Sequence, residues 1–306
     1  MKQIFNSRNT VFRLIGLKLL IAVLIVQLVA CNSDAQQQVN HSKTNDTLHV
    51  WVDSSLRALV NEEIKSFEGI NKPPVIQLHL ANEADVFQGM LNNSIDAAVT
   101  QRELSATESA LIQKQEDFKA KQHIFAKQAF VLIASEQFKS NYIDLASVLS
   151  SMTNNQPHSI VVEASKSSAV KFLIDHFHLS QQPQYLFAEN GLNAMLAYVR
   201  SHQNAIGVLP YTYISDVYAQ ADLPMLKGLK ILSIANADST VIEPSQSSIA
   251  SGNYPLVNSI VLINANMKQK SGINFVNYLF KPSAQRLILK FGLVPVIFPG
   301  RELLIK

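Results

Sequence analysis

From Leu48 onward, short apolar runs alternate with stretches in which apolar residues recur every third or fourth position. Few architectures accept that alternation. The run LHVWV reads as a strand over 48–52, ending in Asp53-Ser54-Ser55. The spacing of Leu56, Leu59, Val60, Ile64 and Phe67 then predicts a helix over 56–67. Pro73-Pro74 interrupts the chain, and a strand over 75–80, a helix over 85–91 and a strand over 95–100 follow. Strand, helix and strand in quick succession make a βαβ unit, whose repetition builds a parallel sheet covered by helices. Further strands are expected over 128–134, 159–162, 205–209, 229–234 and 258–263. Helices are expected over 167–176, 192–201, 271–280 and 283–291, the last opened by Pro282 and stopped by Gly292. The polar stretch 236–251 reads as a loop or hairpin. The fold class is therefore α/β, and no internal repeat is present.

The N-terminus obeys other rules. Residues 1–30 carry Lys2, Arg8, Arg13 and Lys18 with no acidic residue, and Leu19–Ala30 is apolar except for Gln27. Twelve helical residues span about 18 Å, short of a ~30 Å hydrocarbon core, so the segment reads as an export signal rather than a membrane span. It ends in Leu28-Val29-Ala30-Cys31, which resembles a bacterial lipobox. That likeness implies cleavage before Cys31 and lipid attachment to its thiol. Cys31 is the single cysteine, which excludes an internal disulfide. Residues 31–46 are rich in Gln, Asn and Ser, as a solvated tether requires. The chain is formally +3, but removing the four cations of residues 1–30 leaves about −1. A nucleic-acid partner is not expected on that charge; the expected location is the cell envelope, exported and membrane-anchored.

The order of segments resembles the periplasmic phosphate-binding proteins, the PstS-like branch of the type II solute-binding fold. The likeness rests on Asp53-Ser54-Ser55 before a helix, on FQGMLNNSIDAAVTQREL over 87–104, and on AKQAFVLIA over 126–134. It rests also on IVVEASKSSAVKFLID over 160–175, on VRSHQNAIGV over 199–208, and on the closing stretch 254–296. The resemblance implies two α/β lobes of discontinuous sequence joined by a hinge. Lobe 1 would take 47–127 plus 255–306, and lobe 2 with the hinge crossings would take 128–254. A small oxyanion, phosphate first, would be held between them for ABC-type import.

An oxyanion site needs donors rather than catalysts, and helix N-termini provide them. Ser54 and Ser55 precede one predicted helix, and Ser167 and Ser168 another; each pair either caps its helix or reaches a ligand. Thr100 ends a strand, and Arg102 can grip two oxygens at once or pair with a neighbouring carboxylate. Asp53 and Glu83 would face a ligand proton, which monoprotonated phosphate carries and sulfate lacks. The chain departs from the family pattern at Ala81-Asn82-Glu83-Ala84, which lacks glycine, and at Ser167-Ser168-Ala169, where the family has Ser-Gly-Thr. Those departures leave open a second role, as an envelope sensor or partner without transport. An enzyme is not expected, since no nucleophile elbow, Walker loop, dinucleotide fingerprint or HExxH motif occurs. No cofactor or metal is called for: His176 and His178 stand two apart, which points their rings away from each other on a helix.

Overall fold

The chain divides into two units, Met1–Asn45 and Asp46–Lys306. The computed structural model describes residues 47–69, 75–116, 120–154, 157–215, 224–265 and 270–300. The segments expected to be an export signal and a tether, with Cys31, lie outside them, as do residues 301–306.

Three parallel strands open the fold. β1 (Thr47–Asp53) lies between β2 (Val75–Ala81) and β3 (Ala97–Thr100). β11 (Val257–Asn264) adds antiparallel to β3, and β4 (Lys121–Ser135) adds antiparallel to β11. β4 is the element that joins two sheets. Its residues 121–129 pair with β11, whereas Phe130–Ala134 pair with β8 (Ala205–Pro210) and Leu132–Ser135 with β9 (Leu229–Ala235). β6 (Ser159–Val162) and β7 (Leu186–Ala188) extend the second sheet parallel to β8. Fifteen extended residues reach about 50 Å, enough to serve both lobes.

The pairings dictate where the lobes face each other. β1, β3 and the first half of β4 run in one direction, so Asp53, Thr100 and Gln128 lie toward the crossing. β6 and β8 run against β4, so their carboxyl ends, at Val162 and Pro210, point back toward the same place. Carboxyl ends of parallel strands are where α/β sheets hold their ligands.

Period-two alternation explains the cores. Ile260 and Leu262 of β11 pack with Leu56, Phe67, Phe275 and Tyr278 on one sheet face; Val261 and Ile263 pack with Val86, Met90 and Ile112 on the other. Along β4, Phe130 and Leu132 join one core of the second lobe, and Val131 and Ile133 the other. Each such fully buried side chain contributes roughly 1.5–3 kcal/mol.

Several boundaries move. The helix expected over 85–91 begins at Glu83, because the Asn82 side chain accepts a hydrogen bond from the Asp85 N–H and caps it. The helix expected from Leu56 begins at Arg57, after a 3-10 turn over Ser54–Leu56. In the polar stretch 236–251 the hairpin alternative holds, since Val241–Ile242 turns back antiparallel on β9, and a helix over Gln246–Ala250 with a Ser245/Ser248 capping box is added. Helices Ala106–Glu116 and Leu145–Asn154 add to those expected from the sequence.

Candidate functional site

At the carboxyl end of β1, Asp53 folds its carboxylate over the following turn. Its Oδ1 accepts from the Ser55 N–H at 3.0 Å and from the Ser55 hydroxyl at 2.6 Å. Asp53 therefore caps the turn, and neither serine of the pair does. Ser55 is buried, while Ser54 is exposed and donates to the Ala81 carbonyl at 3.3 Å. Across the crossing, Ser167 occupies the N-cap position of the helix Ser168–His176, but its hydroxyl donates to the Ala164 carbonyl at 2.8 Å. Ser168, the first helical residue, turns its hydroxyl toward the first lobe.

Gln101 connects these pieces. Its Nε2 lies 2.6 Å from Ser55 Oγ, 2.7 Å from Ser168 Oγ and 3.0 Å from Asp53 Oδ1. Its Oε1 accepts from Gln128 Nε2 at 2.5 Å, and its carbonyl oxygen accepts from Asn258 Nδ2 at 2.7 Å. Gln128 and Asn258 face each other across β4 and β11, at the crossing between the lobes. Gln128 also accepts from the Thr212 N–H at 3.4 Å. The whole cluster is buried: Asp53, Ser55, Gln101, Gln128 and Ser168 lie below the surface, with Gln101 only 1% exposed.

Arg102 takes a different direction. Nη1 and Nη2 donate to Glu108 at 2.7 and 2.8 Å, Nη1 also to the Glu103 carbonyl at 2.8 Å, and Nε to Glu83 at 2.5 Å. Thr100 donates its hydroxyl to the Arg102 carbonyl at 2.8 Å, holding this turn. Burial would raise Glu108, but the Arg102 fork and the Ser105 N–H hold it down to about 2. Glu83 fares otherwise. Burial, aided by nearby Asp53 and opposed by Arg102, pushes it up to about 7, and its Oε2 is buried with no hydrogen-bond partner. On the second lobe, burial and Asp53 push Glu163 up to about 7, although the Tyr213 hydroxyl donates to it at 3.3 Å. Lys166 reaches Asp85 of the first lobe at 3.4 Å in an exposed pair.

Two hydroxyls, an amide and one carboxylate, drawn from two lobes, thus meet at one buried point. The sequence matches the PBP superfamily domain over residues 37–283.

The chain belongs to the PBP superfamily.

Solved structures agree on the fold, two-lobed and of the type II periplasmic-binding kind. A Clostridium perfringens protein assigned as a phosphate ABC transporter substrate-binding protein, with phosphate bound, superposes with a TM-score of 0.66 at 13% identity. The match covers 82% of this chain and 100% of that one. An ABC-type phosphate transport receptor from Vibrio cholerae gives 0.62 at 13% identity over 81% and 99% of the two chains. PstS from Borrelia burgdorferi gives 0.52 at 17% identity over 82% and 98%. Curated protein sequences include no significant match.

Of the eight residues expected at the PBP cleft, Asp53, Ser55 and Ser168 meet through Gln101, while Glu83 and Arg102 form a separate ion pair beside them. Ser54, Thr100 and Ser167 spend their hydroxyls on local carbonyls. Gln101, Gln128, Asn258, Glu108 and Glu163 are absent from the sequence-based expectation. Gln128 did leave a signal, as a lone amide beside the apolar run AFVLIA. Gln101 stands inside the Thr100-Gln101-Arg102 turn, overshadowed by its charged neighbour. His176 stacks on Phe172 with ring centroids 5.4 Å apart.

Proposed function

We propose that this protein is an envelope solute-binding lipoprotein, a binding protein rather than an enzyme, which captures a small protonated oxyanion, phosphate first, between its lobes. Residues 1–30 would direct export, Cys31 would carry the lipid and residues 31–46 would act as tether. Segments 47–127 and 255–306 would form one lobe and 128–254 the other with the hinge crossings. Delivery would be to an ABC-type permease.

One observation carries this reading: Asp53 and Ser55 from one lobe and Ser168 from the other converge on a single buried point. Two hydroxyls can donate to anionic oxygens, and a carboxylate can accept the proton of monohydrogen or dihydrogen phosphate. Sulfate offers Asp53 no proton at neutral pH, so the site would favour phosphate over sulfate. Titration calorimetry with both anions tests the proposal: heat with phosphate, reduced in Ser55→Ala and Ser168→Ala, is expected. Silence with both anions in the wild type and in every cleft variant would sink the oxyanion reading. Metabolic labelling with a fatty acid tests the anchor, and Cys31→Ser should lose both label and membrane attachment.

A second reading has its own support. Arg102 is engaged by Glu83 and Glu108, so its guanidinium is not free for an anion. That favours an envelope sensor or partner that keeps the fold without transporting solute.

A further inference from the structure

We propose that the Gln101 carboxamide is a built-in occupant of the cleft, which ties the lobes together without solute and must swing away before any solute binds. The inference rests on the two-lobed binding reading, and it adds a specificity-determining residue and a conformational consequence.

The hydrogen-bond inventory carries it. An amide nitrogen has two hydrogens, and Gln101 Nε2 has three oxygens within 3.0 Å: Ser55 Oγ, Ser168 Oγ and Asp53 Oδ1. Ser55 Oγ donates its own hydrogen to Asp53, so its lone pairs are free to accept from Gln101. Toward Asp53 the amide N–H does what the hydroxyl of a protonated phosphate would do. Toward the two serines it reverses the polarity, because an anion would accept from these hydroxyls whereas the amide donates to them. Amide and anion therefore compete for the same three groups and cannot be served together.

The carboxamide is also fixed from behind. Gln128 holds its oxygen and Asn258 holds its backbone carbonyl, both from the strand pair at the lobe crossing. A side chain only 1% exposed and bonded at both ends is a seated group, not a surface rotamer passing through. The two serines come from different lobes, so the shared nitrogen is a strap across the cleft, and the exposed Lys166–Asp85 pair lies across the same gap.

Two variants test the strap. Gln101→Ser removes the amide and leaves room for an anion. Gln101→Glu is nearly isosteric but places a second carboxylate against Asp53. Spin labels at exposed Glu68 and Ala197, in the full chain carrying Cys31→Ser, report the interlobe distance. The expected result is one short distance in the wild type with or without phosphate, and a longer, broader distribution in both variants without it. Calorimetry should then find that Gln101→Ser binds inorganic phosphate on the order of tenfold or more tightly than wild type, since hydrogen bonds no longer have to be exchanged. A wild type that is open without phosphate, or variants that stay as closed as wild type, would overturn the strap. If the variants open yet none binds phosphate, the strap stands and the oxyanion reading falls. If the wild type is open and binds phosphate as tightly as Gln101→Ser, the strap falls and the oxyanion reading stands. Thermal melts of both variants establish that any opening is not unfolding.

Discussion

Arg102 and Glu108 form a two-pronged pair, with Nη1 and Nη2 at 2.7 and 2.8 Å from the two carboxylate oxygens, and Glu83 closes on the remaining Nε. One cation thus serves two carboxylates that have little water to fall back on. Arg102→Met would leave Glu83 without a partner and Glu108 with only the Ser105 N–H, and an uncompensated buried charge typically costs 3–5 kcal/mol. The urea midpoint should fall accordingly at pH 8. Adding Glu83→Gln and Glu108→Gln should restore most of the loss. If the single variant melts like wild type, the network is not structural.

Glu63 is a second buried carboxyl, on the helix Arg57–Glu68. It is 1% exposed, and neither oxygen has a partner in hydrogen-bonding geometry. Burial, offset only in part by the nearby Tyr278 hydroxyl, pushes it from 4.5 to about 8. A raised carboxyl binds more protons in the folded than in the unfolded chain between those two values, so its contribution to stability declines as pH rises through that window. Glu63→Gln should match wild type near pH 5 and exceed it above pH 8, by at most on the order of 5 kcal/mol. Melting curves across pH 5–9 that stay parallel would refute this.

Gly292 and Gly252 share a left-handed backbone, at φ 70° and 73°, but differ in surroundings. A Cβ on Gly292 would lie 2.5 Å from the Ser215 carbonyl oxygen, whereas one on Gly252 would meet nothing within 4 Å. Gly252→Ala should cost only the backbone term, about 1–2 kcal/mol. Gly292→Ala should cost clearly more, because a backbone carbonyl has to move. Equal losses in chemical denaturation would remove the role given to the Ser215 contact.

The proposed oxyanion capture carries a pH signature. Glu83 and Glu163 both titrate at about 7, so acidification removes negative charge beside Asp53. Phosphate gains its second proton over the same range, and both protonated forms carry a hydrogen for Asp53. Affinity should therefore rise by roughly tenfold from pH 8 to pH 6, and Glu83→Gln should flatten part of the rise. Tighter binding at pH 8 would contradict the charge argument.

Much of the fold was legible because apolar periodicity is a local signal. Each of β1, β6, β8 and β11 contains its expected strand, and the helix over 192–201 has the expected bounds. Helix Ala106–Glu116 escaped because its fully buried apolar residue is Ile112 alone, so it has no stripe to read. Helix Leu145–Asn154 does carry a stripe, Leu145, Val148, Leu149 and Met152, which the sequence-based expectation omits between two strands; Asp144 fixes its start by accepting from the Ser147 N–H at 2.8 Å.

The α/β alternation, the faces each strand buries, and the hydroxyl-bearing turns that follow β1 and β6 can all be read from residue order. Which polar groups meet cannot. Gln101 finds Ser55 46 residues away, Ser168 67 away and Asn258 157 away, and Arg102 turns from the cleft to Glu83 and Glu108. Burial pattern is written in neighbouring residues, but a hydrogen bond between distant side chains depends on where whole strands end, and that is settled only when β4 crosses from one sheet to the other.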